Sequence, residues 1–235
     1  MRKIGFSQGV MHKKLDPCSK ESIKILRSTN TNAIEVHYRG EDSLNRIKET
    51  LKQIKEFKYR SMHAPSFIYR DNQETRDLLD KVVKFYNLIG ASLAVVHPDK
   101  VENWNVFNNY PDINWAVENM DEQKDRYTGV KDFVEFFKEN DNWGMVLDLG
   151  HCKANDKTMK LAQDFIDAFK DRIKEIHLSG YEILHEPLFR TKQKEIIKPC
   201  NQMDVPIIIE STFEIDDSKE EVLKEFNYIL ESLNE

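Results

Sequence analysis

Seven histidines are spread through the sequence, and six of them fall at or just beyond apolar, strand-like runs in the company of aspartate and glutamate. The clearest case is Gly144-Met145-Val146-Leu147-Asp148-Leu149-Gly150-His151, where an apolar run ends in a carboxylate, a glycine and an imidazole. By the two-residue period of a strand, Gly144, Val146 and Asp148 share one face, and Met145, Leu147 and Leu149 the other. Apolar residues on both faces mark a strand covered on both sides, as in a parallel α/β sheet. Gly150 then lets the chain turn so that His151 points back toward Asp148.

The pattern recurs. His37, His63 and His97 close runs of their own, Glu118 lies near the end of another, His177 sits within a further one with His185 in the loop after it, and Glu210 closes the last. Only His12 stands apart. Any one of these serves equally well as a cap, a turn residue or a packing histidine. Their joint placement at strand ends argues for a shared purpose. Imidazoles and carboxylates without cysteine pairs suit Zn2+, Mn2+, Fe2+ or Co2+. Glu118, Asp148, His177, Glu210, His63, His97, His151 and His185 exceed what one ion needs, so the set has ligands for one to three divalent ions. No serine near a strand end sits in a glycine-flanked elbow, and no glycine-rich phosphate loop is present.

The elements that would position these groups alternate strand and helix from end to end. Strands are expected over 3–7, 33–38, 59–63, 92–97, 115–119, the run opening at Gly144, 173–179 and 207–210. Between them, apolar residues recur at three and four: Leu44, Ile47, Leu51 and Ile54, then Leu78, Leu79, Val82, Val83 and Tyr86, later Leu161, Phe165 and Phe169, and finally Val222, Phe226, Ile229 and Leu233. Ser218 and Glu221 are spaced as a capping box for the last helix. The fourth unit is short. Trp104, Phe107 and Tyr110 read there as a loop with at most a short helix, serving as a lid over the site or as a subunit contact. Eight βα units at about 29 residues each predict a compact (β/α)8 TIM barrel forming a single domain over 1–235; an open doubly wound sheet is the competing arrangement. In the barrel, all the strand ends emerge on one face.

The 40% hydrophobic and 32% charged composition is that of a soluble globular protein, with no apolar run long enough to span a bilayer. The start of the sequence leads into a strand rather than a signal peptide, which points to the cytoplasm. Three cysteines without finger spacing imply no disulfide framework. The net charge of -6 argues against a nucleic-acid partner.

The runs Met62-His63-Ala64-Pro65, Val95-Val96-His97-Pro98, Val117-Glu118-Asn119-Met120, Leu147-Asp148-Leu149-Gly150-His151, Ile176-His177-Leu178-Ser179, His185-Glu186-Pro187-Leu188 and Ile209-Glu210-Ser211 together resemble the xylose-isomerase-like TIM barrels. That superfamily includes sugar phosphate isomerases and epimerases and the endonuclease IV family. Similarity to the epimerases implies one metal ion held by Glu118, Asp148, His177 and Glu210, with Glu118 and Glu210 also moving a proton between the faces of a sugar carbon. Similarity to the endonucleases implies His63 and His97 on a second ion bridged by Glu118, and His151 with His185 on a third. That branch has an aspartate two residues before the last histidine, where this chain has Ile183, so a third ion would need Glu182 instead. Gly5-Phe6-Ser7-Gln8-Gly9 also lacks the first-strand histidine of the endonucleases.

The resemblance thus implies a metal-dependent isomerase or epimerase of a small sugar or sugar phosphate. A zinc-dependent phosphodiesterase is the alternative, and a non-catalytic metal- or ligand-binding barrel a third class. Glu35 and His37 would then contact substrate, unless Glu35 forms an ion pair inside the barrel. Arg39, Lys100, Lys153 and Arg190, just past strand ends, could hold a phosphate, or be solvated loop charges.

Overall fold

Eight parallel strands pair in sequence order and close on themselves, β1 (Ile4–Ser7) against β8 (Ile207–Ile209), so the barrel replaces the open sheet. The computed structural model describes residues 2–183 and 185–234. The other strands are β2 (Ala33–His37), β3 (Tyr59–His63), β4 (Leu93–Val96), β5 (Trp115–Glu118), β6 (Gly144–Asp148) and β7 (Ile173–Leu178). They end one residue short of the expected bounds at several ends, although Glu210 N still donates to Leu178 O at 2.9 Å. The helices are α1 (Lys20–Ser28), α2 (Glu41–Ile54), α3 (Gln73–Ile89), α4 (Val130–Glu139), α5 (Leu149–Asn155), α6 (Lys160–Phe169), α7 (Leu188–Thr191), α8 (Lys194–Ile197) and α9 (Lys219–Leu233). Among the described residues, no helix is long and apolar enough to cross a membrane.

Register decides what the barrel encloses. Gly5, Ala33, Tyr59, Leu93, Val95, Ala116, Val146 and Ile208 point inward near the bottom and middle, where branched and small side chains fill the interior. Above them the inward positions turn polar: Ser7, Glu35, Ser61, Glu118, Asp148, Glu175 and His177 are all buried. About a third of the inward positions therefore carry a carboxylate or an imidazole. An arrangement of this kind is tolerated only where charges meet partners. The outward faces carry the apolar residues that pack under the helices, such as Ile34, Val36, Val117, Met145, Leu147 and Ile176.

One irregularity sets the polar layer. Met145 pairs with Ile173 but Val146 pairs with Glu175, leaving Lys174 as an extra residue on β7. This bulge brings Glu175 and His177 inward beside Val146 and Asp148. Gly144 makes room for it, since a Cβ there would lie 2.8 Å from Lys174 Cγ.

The fourth unit has no α-helix on its outer side. A 3-10 helix over Trp104–Asn109 stands in its place. Its rings pack inward: Phe107 lies 4.9 Å from Trp115 and 5.1 Å from Trp143, and Trp104 lies 4.5 Å from Phe136, centroid to centroid. The Tyr110 hydroxyl reaches Asp80 on α3 at 2.9 Å. These aromatics form part of the outer layer of the barrel, packed on Trp115, Phe136 and Trp143 rather than closing over the strand ends as a lid. The capping box of α9 does not form. Ser218 is the N-cap but its side chain bonds no backbone N–H, and Glu221 turns to Arg190 and Lys224 instead.

Candidate metal centre and its cavity

Asp148 is the hinge of the site. Its backbone ends β6 and its carboxylate caps α5, with Oδ1 accepting from the His151 N–H at 2.8 Å. The cap uses one oxygen only. Oδ2 is buried with no hydrogen-bond partner and faces the barrel axis with Glu118, His177 and Glu210. Gly150 serves closeness rather than a turn: it lies inside α5, and a Cβ would be 2.7 Å from Ser179 Oγ and 3.2 Å from Asp148 Oδ1.

Ligand atoms of Glu118, Asp148, His177 and Glu210 all lie within 4.8 Å of one another, and His177 Nδ1 is 3.2 Å from Glu118 Oε1 and 3.6 Å from Glu210 Oε2. The other oxygen of Glu118 faces a second group. His63 Nε2 and His97 Nε2 are 3.0 Å apart and lie 3.4 and 3.2 Å from Glu118 Oε2. These spacings match a tetrahedral edge of about 3.3 Å for donors roughly 2.0 Å from a Zn2+-like ion. Glu118 Oε2 has no hydrogen-bond partner of its own.

The imidazoles are preset as ligands. Nδ1 of His63 contacts Ala64 O at 2.9 Å and Nδ1 of His151 contacts Asn119 O at 2.8 Å; a carbonyl only accepts, so each Nδ1 carries the proton and each Nε2 keeps its lone pair. Two Nε2 lone pairs and a carboxylate meeting within one ion's radius need a cation between them. Without a metal, that cation is a proton. Burial would lower the pKa of His63, yet the carboxylates of Glu118, Glu35 and Glu210 outweigh it and raise it to about 9. His151 likewise reaches about 9, burial being outweighed by Asp148 and Glu118. Burial would raise Glu118, but His177, His63 and His97 hold its carboxyl well below the ordinary value. Burial, with Glu118, Glu35 and Asp148 nearby, pushes Glu210 up to about 8 against the pull of His177. The residues present therefore fit one divalent ion, and the second group has the donors for another.

Above the cage a cavity of ≈ 420 Å³ opens to solvent, floored by Glu118 and Glu210 and walled by His37, His63, His97, His151 and His185. Its rim carries Arg39 and Lys124. His37 stacks on His63 with centroids 5.0 Å apart and ring planes 10° from parallel.

Not every residue singled out from the sequence joins this group. Glu35 is fully buried behind His177, with Oε2 3.3 Å from His177 Nε2, which is the interior ion pair and leaves no surface for substrate. Arg190 is held by Asp217 at 2.6 Å and Glu221 at 3.1 Å, outside this cavity. Lys153 is held by Glu195, and Lys100 lies near Asp99 at 3.3 Å. Ile183 is 81% exposed, and Glu182 lines a separate surface cleft that His185 also borders. His185 stands 5.7 Å from His151, ring to ring, with Nδ1 on Ser179 Oγ, and joins none of the close ligand groups among the described residues.

Two residues escaped the sequence reading. Asn119 clamps β5 to β6: its Oδ1 accepts from Asp148 N at 2.7 Å and its Nδ2 donates to Asp148 O at 2.9 Å. Asp121 lines the cavity with Oδ2 3.9 Å from His151 Nε2.

No protein-family model matches the sequence, and no curated protein matches it. Solved structures do match in fold. A 3-keto-D-glucoside 4-epimerase from E. coli aligns with a TM-score of 0.69 at 13% identity, covering 98% of this chain and 100% of that one. An L-ribulose 3-epimerase aligns at 0.69 and 12% identity, covering 100% and 95%. A sugar phosphate isomerase/epimerase from Parabacteroides distasonis aligns at 0.63 and 14% identity, covering 97% and 93%. The chain thus shares the (β/α)8-barrel fold of these structures over nearly its whole length.

Proposed function

We propose that the protein is a divalent-metal-dependent isomerase or epimerase of a small sugar or sugar phosphate. The observation that carries this is the pair Glu118 and Glu210: two carboxylates on one cage, both on the floor of the cavity. Glu118, Asp148, His177 and Glu210 would hold the ion, Zn2+ or Mn2+ by donor type, whose chemistry is to polarise adjacent substrate oxygens and acidify the carbon beside a carbonyl. One of Glu118 and Glu210 takes a proton from that carbon, and the other returns one to the opposite face. The reverse direction exchanges their roles. His37, His63 and His97 face the cavity, where they orient hydroxyls. The fold neighbours named as sugar epimerases support this reading. The test is a panel of ketoses and their phosphates incubated with metal-loaded protein and assayed for the epimer or isomer. Turnover of at least one member is expected; none across the panel sinks the proposal. A metal- or ligand-binding barrel without catalysis would instead retain ligand in Glu118→Gln and Glu210→Gln and show no turnover in the wild type.

The triangle of His63, His97 and Glu118 favours a second reading, a zinc-dependent phosphodiesterase of the endonuclease IV kind. Glu118 would bridge two ions, which clamp the attacking and leaving oxygens of a phosphate. The exposed Ile183 and the net charge of -6 weigh against it. On this reading His63→Ala lowers zinc content by one equivalent and abolishes hydrolysis of an abasic duplex or simple phosphodiester. A zinc-loaded wild type that cleaves neither removes it.

A further inference from the structure

Beneath the metal cage, the barrel encloses two more carboxylates that the proposed chemistry does not use. Glu35 and Glu175 are both fully buried and lie behind His177, on the side of the ring away from Glu118 and Glu210. His177 Nε2 is 3.2 Å from Glu175 Oε1 in hydrogen-bonding geometry, while Nδ1 of the same ring is 3.2 Å from Glu118 Oε1. The ring is thus gripped from behind and presented forward. Glu35 Oε2 is 3.3 Å from the same Nε2 but out of line with its N–H, and both Glu35 oxygens lack a hydrogen bond.

This geometry leaves His177 one useful tautomer. An ionised carboxylate only accepts, so Glu175 keeps a ring proton on Nε2, and the Nδ1 position, which faces Glu118 Oε1, is the one left for an ion in the cage. The β7 bulge makes the arrangement: without the extra Lys174, Glu175 would fall level with the outward Leu147 rather than the inward Val146. A polar residue buried in a barrel core, reached by a register shift and bonded to a candidate ligand's far nitrogen, is placed for that nitrogen.

We infer that Glu175 is a positioning residue that acts through His177, fixing its tautomer and ring plane for the ion, while Glu35 adds negative charge behind the ring without fixing the tautomer. The assignment rests on the metal-cage reading above. Glu175→Gln keeps the volume but offers an amide that can present N–H instead of an acceptor, so the proton is free to move to Nδ1 and close the lone pair to metal. Loss of such a partner behind a ligating histidine weakens metal binding by about 10–100-fold.

Two measurements on the full chain test it. Zn2+ affinity is taken by chelator competition for wild type, Glu175→Gln and Glu35→Gln. Histidine tautomers of the metal-free proteins are read from long-range 1H–15N spectra, tractable with seven histidines. Expected are an Nε2–H His177 in the wild type, a roughly 10–100-fold loss of Zn2+ affinity with a changed His177 tautomer in Glu175→Gln, and an unchanged His177 tautomer with a shifted His37 signal in Glu35→Gln. A residue needed only for folding would lower the melting temperature and leave both readouts in place. Unchanged Zn2+ affinity in folded Glu175→Gln overturns the assignment. So does a wild-type His177 whose Nε2 carries no proton, a result that stands even if the variant does not fold. A wild type that binds no ion overturns the cage reading itself.

Discussion

Raising the pH of the metal-free protein from about 6.5 to 9 should weaken its fold by about 3 kcal/mol. His63 and His151 both have folded-state pKa values near 9, above the ordinary 6.5, because buried carboxylates outweigh the burial that would lower them. A group whose pKa is raised on folding adds stability that is complete below the unfolded value and disappears as pH climbs through the folded one. Both imidazoles lean on Glu118, so their gains do not add, and one retained proton is the prudent count. One proton over roughly 2.5 pH units at about 1.4 kcal/mol per unit gives about 3 kcal/mol. For a chain of this size that lowers the melting temperature by about 6–12 °C. Glu210, protonated up to about 8 when folded, acts in the same direction from its unfolded value upward. Thermal melts of chelator-treated protein at half-unit steps from pH 6 to 9.5 measure this. With a divalent ion in excess the advantage of the loaded protein should widen over the same range, because the ligands must shed protons to bind it. A metal-free melting temperature that is flat or rises between pH 6.5 and 9 would refute the electrostatic account of the cage.

Other expectations concern the scaffold. A Cβ on Gly5 would lie 1.7 Å from Ala33 O, so Gly5→Ala should force β1 from β2 and cost more than about 3 kcal/mol, seen as lost soluble yield or a large drop in denaturation midpoint. Asn119→Ala strands the buried N–H and C=O of Asp148 and should cost about 2–5 kcal/mol in urea unfolding, with a loss of metal affinity because β6 is no longer tied to β5. Phe107→Ala should cost about 3–5 kcal/mol, since the ring is buried among Trp115 and Trp143; a lid residue would leave stability unchanged.

Much of this was legible because it depends on local periodicity. Alternation placed Asp148 and Glu210 on inward faces, the family resemblance supplied Glu118 and His177, and the barrel brought the four together. The spacing of Asp148 and His151 was legible as a unit, and it is one: a carboxylate that caps α5 with one oxygen and faces the cage with the other. The illegible parts are non-local. Asn119 looks like any strand-end amide until β6 lies beside it. The inward turn of Glu175 depends on a bulge that no periodicity announces. Arg190, just beyond a strand, reads like a phosphate ligand until Asp217 and Glu221, well along the chain, fold onto it. Aromatics between asparagines in the fourth unit resembled a surface loop because the partners that bury them, Trp143 and Phe136, belong to later elements.

The central claim is that Glu118 and Glu210 move a proton at a substrate carbon, and solvent deuterium reports it directly. Metal-loaded protein is incubated in D2O with a ketose or ketose phosphate that it converts, and the isotope content of recovered sugar is read by mass spectrometry and NMR. Deuterium at the carbon whose configuration or oxidation level changes is expected, falling by about 10²–10⁴-fold in Glu118→Gln and in Glu210→Gln preparations matched for bound metal. Conversion without deuterium at that carbon, or exchange undiminished in both variants, would contradict the account.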